Sequence, residues 1–271
     1  MPGVSALVCT YAGDDADHLA AALQSLRDQT RPPDEIVIVE DGPVTPAIAE
    51  AIERFQRTSE IPVNRTAHDE NRGHGAARAT AVSTATHELI AIQDADDISV
   101  PERIERSLSK LTETGADLVG GYYEEFETDP EEPHAVRTVP CEQQAIERMA
   151  PLRNPINHTT VLARRDAILA AGSYRAVGQM EDYELWARML TRNDMLVNVP
   201  VVLAKVRAGE AMYQRRGGPE HMKEEARLQR HFADIGFVSR PRAAANFVVR
   251  SVPKLVPSRL RGWLYRTFFR E

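Results

Sequence analysis

Two kinds of apolar pattern alternate along most of the chain: short unbroken runs, and longer stretches in which apolar side chains return every third or fourth position. Runs of the first kind fill residues 4–10, 35–39 and 88–93, with the length expected of strands buried on both faces. Stretches of the second kind lie between them. Residues 17–29 repeat Leu19, Leu23 and Leu26, residues 45–56 repeat Ile48, Ile52 and Phe55, and an Ala-rich segment spans 76–86, so each reads as a helix. Pro32-Pro33 breaks the first helix, Glu40-Asp41-Gly42-Pro43 turns the chain after the second run, residues 62–66 form a short third strand, and Asn71-Arg72-Gly73-His74-Gly75 is a polar loop. Further on, Pro101 opens a helix through Leu111, residues 117–123 form a strand, and residues 128–134 are an acidic loop. Residues 159–163 then read as a strand and 168–172 as the end of a short helix. Residues 181–191 form a helix burying Leu185, Trp186 and Met189, 196–205 hold one or two strands, and 207–219 are a loop rich in Gly and Arg.

Strands alternating with helices at this spacing predict an α/β fold, a mostly parallel sheet with helices on both faces. Such sheets bind ligands beyond the carboxyl ends of their strands. Acidic residues collect at those ends: Asp41 after the second strand, Asp94, Asp96 and Asp97 after the strand at 88–93, and Glu181 and Asp182 at the start of a later helix. Like charges sharing a cleft repel one another unless a cation neutralises them. A hard divalent metal, Mg2+ or Mn2+, suits the purpose, because it takes one or two carboxylates and completes its shell with water and substrate phosphates.

Composition narrows the field. With 271 residues and 42% hydrophobic content the chain buries a real core. The net charge of −7 is uneven: residues 240–271 carry eight Lys or Arg against Glu271 alone, which leaves −14 for residues 1–239. An acidic body argues against a nucleic-acid partner. Cys9 and Cys141 have neither zinc-knuckle nor redox-pair spacing. The N-terminus has no secretory pattern and no run reaches the roughly 18–20 apolar residues of a membrane span, so a cytoplasmic location is expected.

An ordered set of motifs resembles glycosyltransferase family 2. Val4-Ser5 through Thr10-Tyr11 stand at the first strand, Ser25-Leu26 and Gln29-Thr30 close the first helix, and Ile36 through Glu40-Asp41-Gly42 mark the second strand. Asn71-Arg72-Gly73, Ala77-Arg78, Gln93-Asp94-Ala95-Asp96-Asp97 with Pro101, and Glu181-Asp182-Tyr183-Glu184-Leu185-Trp186-Ala187-Arg188 follow in order. Cys9, Ala12, Glu40 and Ala79 depart from the family's usual residues.

The resemblance implies the inverting GT-A fold, with a catalytic domain over 1–205 made of a nucleotide-sugar half (1–100) and an acceptor half (101–205). Residues 206–239 read as a loop and helix, either a lid or a solvated loop, and 240–271 as a basic amphipathic tail. It further implies that Thr10, Tyr11 and Asp41 hold the nucleotide base, with Asn71, Gly73 and Arg78 nearby. Asp94 would lie near the ribose, next to Ala95, and Asp96 would bind the metal that bridges the donor diphosphate. Asp182 would be the general base, with Glu181 next in line. A UDP-sugar is the favoured donor and a glycan or lipid-linked glycan the acceptor, in polysaccharide or glycoconjugate synthesis. The chemistry is coherent, because an acceptor hydroxyl needs a base as it attacks, while the departing diphosphate needs a cation.

Three further features stay open. His158 either touches the diphosphate or acceptor or is a buried structural histidine, and Arg215 and Arg216, near Tyr213, form either a basic lid or a solvated loop. Leu260, Trp263, Leu264 and Phe268 fall on one side of a helix whose other side carries Arg259, Arg266 and Arg270. Such a helix either lies on anionic lipid or docks on the domain. Two other readings of the acidic site remain, a non-catalytic nucleotide-sugar-binding module and a sugar-phosphate nucleotidyltransferase, the latter from Gly73-His74-Gly75-Ala76-Ala77-Arg78.

Overall fold

The computed structural model describes residues 2–175, 180–208 and 219–255. It divides into two compact units, Met1–Ala208 and Gly209–Glu271. The first unit opens with β1 (Val4–Thr10), α1 (Ala16–Arg27), β2 (Glu35–Glu40), α2 (Pro46–Thr58), β3 (Val63–Ala67), α3 (His74–Thr84) and β4 (Leu89–Asp94). Local chemistry sets these boundaries. Asp15 caps α1 by accepting from the backbone N–H groups of Asp17 and His18 at 2.9 and 3.0 Å. Thr45 caps α2, with Pro46 in the first turn where its missing N–H costs nothing.

The chain continues through β5 (Ile98–Ser99), α4 (Arg103–Thr114), β6 (Leu118–Phe126), β7 (Ala135–Arg137) and α5 (Gln143–Met149). A 3-10 turn (His158–Thr160), β8 (Leu162–Arg164), α6 (Arg165–Ala170), α7 (Glu181–Thr191) and β9 (Leu196–Arg207) complete the unit. Gly115, in the left-handed conformation at φ 71°, ends α4. The run at 159–163 is therefore a 3-10 turn followed by a three-residue strand, and residues 196–207 form one strand, with a register shift opposite Gly121 and Tyr122.

The strand order is β3-β2-β1-β4-β8-β6-β9-β5, with β7 beside β6. The half that carries the strand-end acids, β3-β2-β1-β4, is parallel throughout. β8 runs antiparallel between β4 and β6, and β9 returns parallel to β6. The order reverses at β1, which has β2 on one side and β4 on the other. This is the switch point beside which α/β sheets open a crevice.

Alternation along β1 divides the core between the two faces. Ala6 and Val8 pack with Ile36 and Ile38 against Leu19, Leu23 and Leu26 of α1 and Ile48 and Ile52 of α2. Leu7 packs with Val37, Val39, Ile90 and Ile92 against Ala77, Ala81 and Val82 of α3 and Leu185, Trp186 and Met189 of α7. Because α7 lies on the same face as α3, its first residues arrive above the ends of β1 and β4.

In the second unit the described residues form α8 (Pro219–Asp234) and α9 (Arg240–Leu255). Leu228, Phe232, Val238 and Ala243 are buried here, and Glu225 pairs with Arg250 at 2.9 Å. Arg215 and Arg216 of the expected lid, Tyr213, and the tail from 256 to 271 lie outside the described residues.

Candidate active site

The carboxyl end of β1 leads into the Thr10-Tyr11 turn, which Asp14 closes by accepting from Thr10 Oγ1 at 2.9 Å and from the Tyr11 N–H at 3.1 Å. The Tyr11 ring meets His74 edge-on, with centroids 5.9 Å apart. At the end of β2, Asp41 is buried. Its Oδ1 accepts from the Arg72 N–H at 2.8 Å and lies 2.9 Å from His68 Nδ1, and its Oδ2 accepts from the Gly73 N–H at 2.8 Å. Burial works against this charge, yet the hydrogen bonds from Arg72, His68 and Gly73 outweigh it and hold the carboxyl below its usual range. Asp41 thereby ties the loop at 71–73, with Asn71 and Gly73, to the end of β2.

Gly42 makes that approach feasible. Its φ is 86°, and a Cβ there would stand 2.6 Å from the Asn71 backbone nitrogen, whereas a Cβ on Gly73, also at positive φ, meets nothing within 4 Å. We expect Gly42→Ala to lower stability by about 1–3 kcal/mol and to loosen the 71–73 loop, with Gly73→Ala costing about 1 kcal/mol. Urea unfolding of both variants measures the contrast, and equal midpoints would show that the close approach at Gly42 carries no energy.

Asp94, the last residue of β4, accepts from Arg78 Nη2 at 2.8 Å, and its other oxygen lies 3.6 Å from His158 Nδ1. The second guanidinium nitrogen of Arg78, Nη1, donates to Glu181 Oε1 at the start of α7. Burial opposes charge at Asp94, but Arg78 and His158 hold its carboxyl well below the ordinary range. At Glu181 the balance reverses. Burial raises its pKa, the Asp182 charge adds to the rise, and Arg78 offsets only part of it. Cys9, half-buried beside the same arginine, is pushed up to about 12 by desolvation and stays a thiol.

Asp96 differs from these pinned acids. It is exposed, and its pKa is raised by desolvation and by the charge of Asp94. Ala95 packs into the core beneath it, and Asp97 is buried, accepting from the Arg207 N–H at 3.2 Å. Desolvation and the charges of Asp94 and Asp96 push Asp97 well up. Asp182 is half-buried, and its Oδ2 accepts from Asn154 Nδ2 at 2.7 Å.

His158 is half-buried between Asp94 and an aromatic wall. Its Nε2 lies 3.0 Å from Tyr174 Oη, and its ring stands 5.8 Å from Tyr174 and 6.3 Å from Trp186. Sequence reasoning did not single out Asn154, Tyr174 or His68 as parts of the site. Asn154 stands in the same segment as His158, but nothing local marks it as the partner of a residue on α7.

The structure thus gathers Asp94, Arg78, Glu181 and His158 into one network at the ends of β1 and β4, while Asp41 organises the adjoining loop. Among the described residues no group of three or more His, Cys, Asp or Glu side chains stands ready to hold a metal unaided. The donor set nonetheless fits Mg2+ or Mn2+, which bind through one or two carboxylates and draw their remaining ligands from water and phosphate. Asp96 is a hard oxygen donor in the turn between β4 and β5, with its charge crowded by a neighbour rather than neutralised.

Residues 5–172 match Glycosyl transferase family 2. The amylovoran biosynthesis glycosyltransferase AmsE of Erwinia amylovora is 33% identical over 264 residues, covering 96% of this chain and 97% of that protein. An Escherichia coli UDP-Gal:alpha-D-GlcNAc-diphosphoundecaprenol beta-1,3-galactosyltransferase is 30% identical over 271 residues, covering 100% of this chain and 98% of that protein. Among solved structures, the Pyrobaculum calidifontis mannosyltransferase PcManGT, in complex with GDP-Man and Mn2+, superposes with a TM-score of 0.65 at 17% identity, covering 98% of this chain and 79% of that one. TarS 1-349 of S. aureus, in complex with UDP-GlcNAc, gives 0.68 at 15% identity, covering 92% and 72%. At these identities the two structures establish the shared fold.

Proposed function

The chain belongs to glycosyl transferase family 2, and on that footing we propose that it is a metal-dependent, inverting enzyme that moves a sugar from a UDP-sugar onto a hydroxyl of a lipid-linked glycan. Glycosyl transfer in polysaccharide or glycoconjugate synthesis follows from the family and the full-length relatives. The observation that carries the finer reading is the division among the acids. Asp41, Asp94 and Glu181 are each held by cationic or N–H donors, whereas Asp96 is exposed at the end of β4 and Asp182 is held by a neutral amide.

In this reading Thr10, Tyr11 and the loop tied down by Asp41 cradle the base, and Asp94 lies by the ribose. Asp96 is the residue that would hold Mg2+ or Mn2+, and the metal would stabilise the charge that develops on the departing diphosphate. Asp182 takes the proton of the attacking hydroxyl. One base on the acceptor side, with the diphosphate leaving from the opposite side, gives single displacement and inversion. Glu181 is the weaker base candidate because Arg78 already occupies one of its oxygens.

UDP and a lipid-linked acceptor are favoured because the E. coli relative named for both aligns along the whole chain. The test is a panel of UDP-, GDP- and dTDP-sugars, read by thermal stabilisation and by hydrolysis with Mn2+ present. UDP-sugars are expected to raise the melting temperature and to be hydrolysed, with GDP- and dTDP-sugars inert. A response confined to another nucleotide would overturn the donor assignment, and no response to any would overturn the enzyme reading.

A further inference from the structure

One face of α9 has the character of a core and is not buried. Pro241, Ala244, Ala245, Val248 and Val249 recur at helical spacing, and all five are exposed, Val248 at 54% and Val249 at 69%. The opposite side of the helix holds Ala243 and Asn246, both buried, with Asn246 Nδ2 donating to Gln229 Oε1 of α8 at 3.3 Å. Phe247 lies on this side too and is half-buried. The stripe from Pro241 to Val249 is apolar surface left facing water among the described residues.

The charge beside this stripe bears on what would cover it. Arg240 and Arg242 are exposed at the start of α9. The sequence from 240 onward holds eight basic residues and one acid, in a chain of net charge −7, with Arg259, Arg261, Arg266 and Arg270 outside the described residues. A partner that is apolar beneath and negatively charged at its surface satisfies both features at once, and an anionic lipid bilayer is such a partner. No described helix is long and apolar enough to cross a membrane. A helix of 16 residues, with an apolar stripe and exposed Arg240 and Arg242 at its start, matches one that lies in the headgroup plane.

We propose that α9 docks on anionic membrane through the Pro241–Ala245–Val248–Val249 stripe, with Arg240 and Arg242 engaging lipid phosphates. The proposal draws its purpose from the lipid-linked acceptor but not its physical basis, and its test needs neither donor nor acceptor. The full chain is sedimented with vesicles of phosphatidylcholine alone and with vesicles containing phosphatidylglycerol, alongside Val248→Asp/Val249→Asp and Arg240→Glu/Arg242→Glu double variants. The parent is expected to pellet with the anionic vesicles only, and each double variant to bind roughly tenfold more weakly. Melting temperature and UDP-sugar stabilisation, read on the same samples, should not change.

Variants that pellet like the parent would overturn the proposal. So would a parent that stays in the supernatant with anionic vesicles at low salt. If Val248→Asp/Val249→Asp instead halves the mass seen by light scattering, the stripe is an interface between copies of this chain and the lipid assignment fails. Loss of UDP-sugar stabilisation in the parent would count against the donor reading alone.

Discussion

Asp96→Ala is expected to abolish sugar transfer while leaving the protein folded. The carboxylate is exposed, makes no contribution to the core, and sits near Asp94 at a raised pKa, so its removal relieves repulsion rather than creating a cavity. Surface changes of this kind move stability by within about 0.5 kcal/mol. The loss in turnover is far larger. A Lewis-acid metal contributes several kcal/mol to stabilising charge in the transition state, which corresponds to roughly a thousandfold or more in rate. Transfer assays on the parent should fall to background in excess chelator and recover when Mn2+ or Mg2+ is restored. Full turnover in excess chelator would end the metal-dependent reading.

Asp182→Asn separates chemistry from binding. The asparagine side chain keeps a carbonyl oxygen that can still accept from Asn154 Nδ2, so the local geometry is retained. What it lacks is a basic oxygen to take the acceptor's proton. General bases typically contribute about 10²–10⁴-fold, and turnover should drop by that range while donor affinity, measured by calorimetry, stays near the parent value. Glu181→Gln has a different expected signature, because it removes the charge paired with Arg78. Near-normal turnover in Asp182→Asn would move the base to another residue, with Glu181 the first to examine.

The strand-end acids were legible in the sequence because continuous apolar runs locate buried strands and the residue after each run must lie at the sheet's rim. Helix α7 was legible to the residue from the spacing of Leu185, Trp186 and Met189, although every side chain from Tyr183 to Met189 is buried. The direction and partners of β8 were not, because periodicity says which face a residue takes and nothing about which strand lies beside it. Residues 157–160 show a second kind of failure. The Thr160 N–H donates to the Asn157 carbonyl at 3.1 Å and closes a 3-10 turn, and Thr160 Oγ1 donates to the same carbonyl at 2.7 Å, local hydrogen bonds that compete with extension of the apolar run. α5 buries only Ile146, too little for an amphipathic signal, and β5 is two residues long. The Arg78–Glu181 contact joins residues 103 positions apart, so only the folded chain brings it into view.

The position of β8 also bears on how the protein is made. β8 fills the slot between β4 and β6, so the centre of the sheet stays open until residue 164 has emerged from the ribosome. β4 ends at residue 94, and at synthesis rates of about 5–20 residues per second the interval is roughly 4–14 s. For that time the parallel half holds an apolar strand with one unpaired edge, the kind of surface that recruits other chains. Helices α1, α2 and α3 can cover the faces of this half early, but no helix can satisfy the edge. The period of greatest exposure to aggregation therefore belongs to a nascent chain of intermediate length.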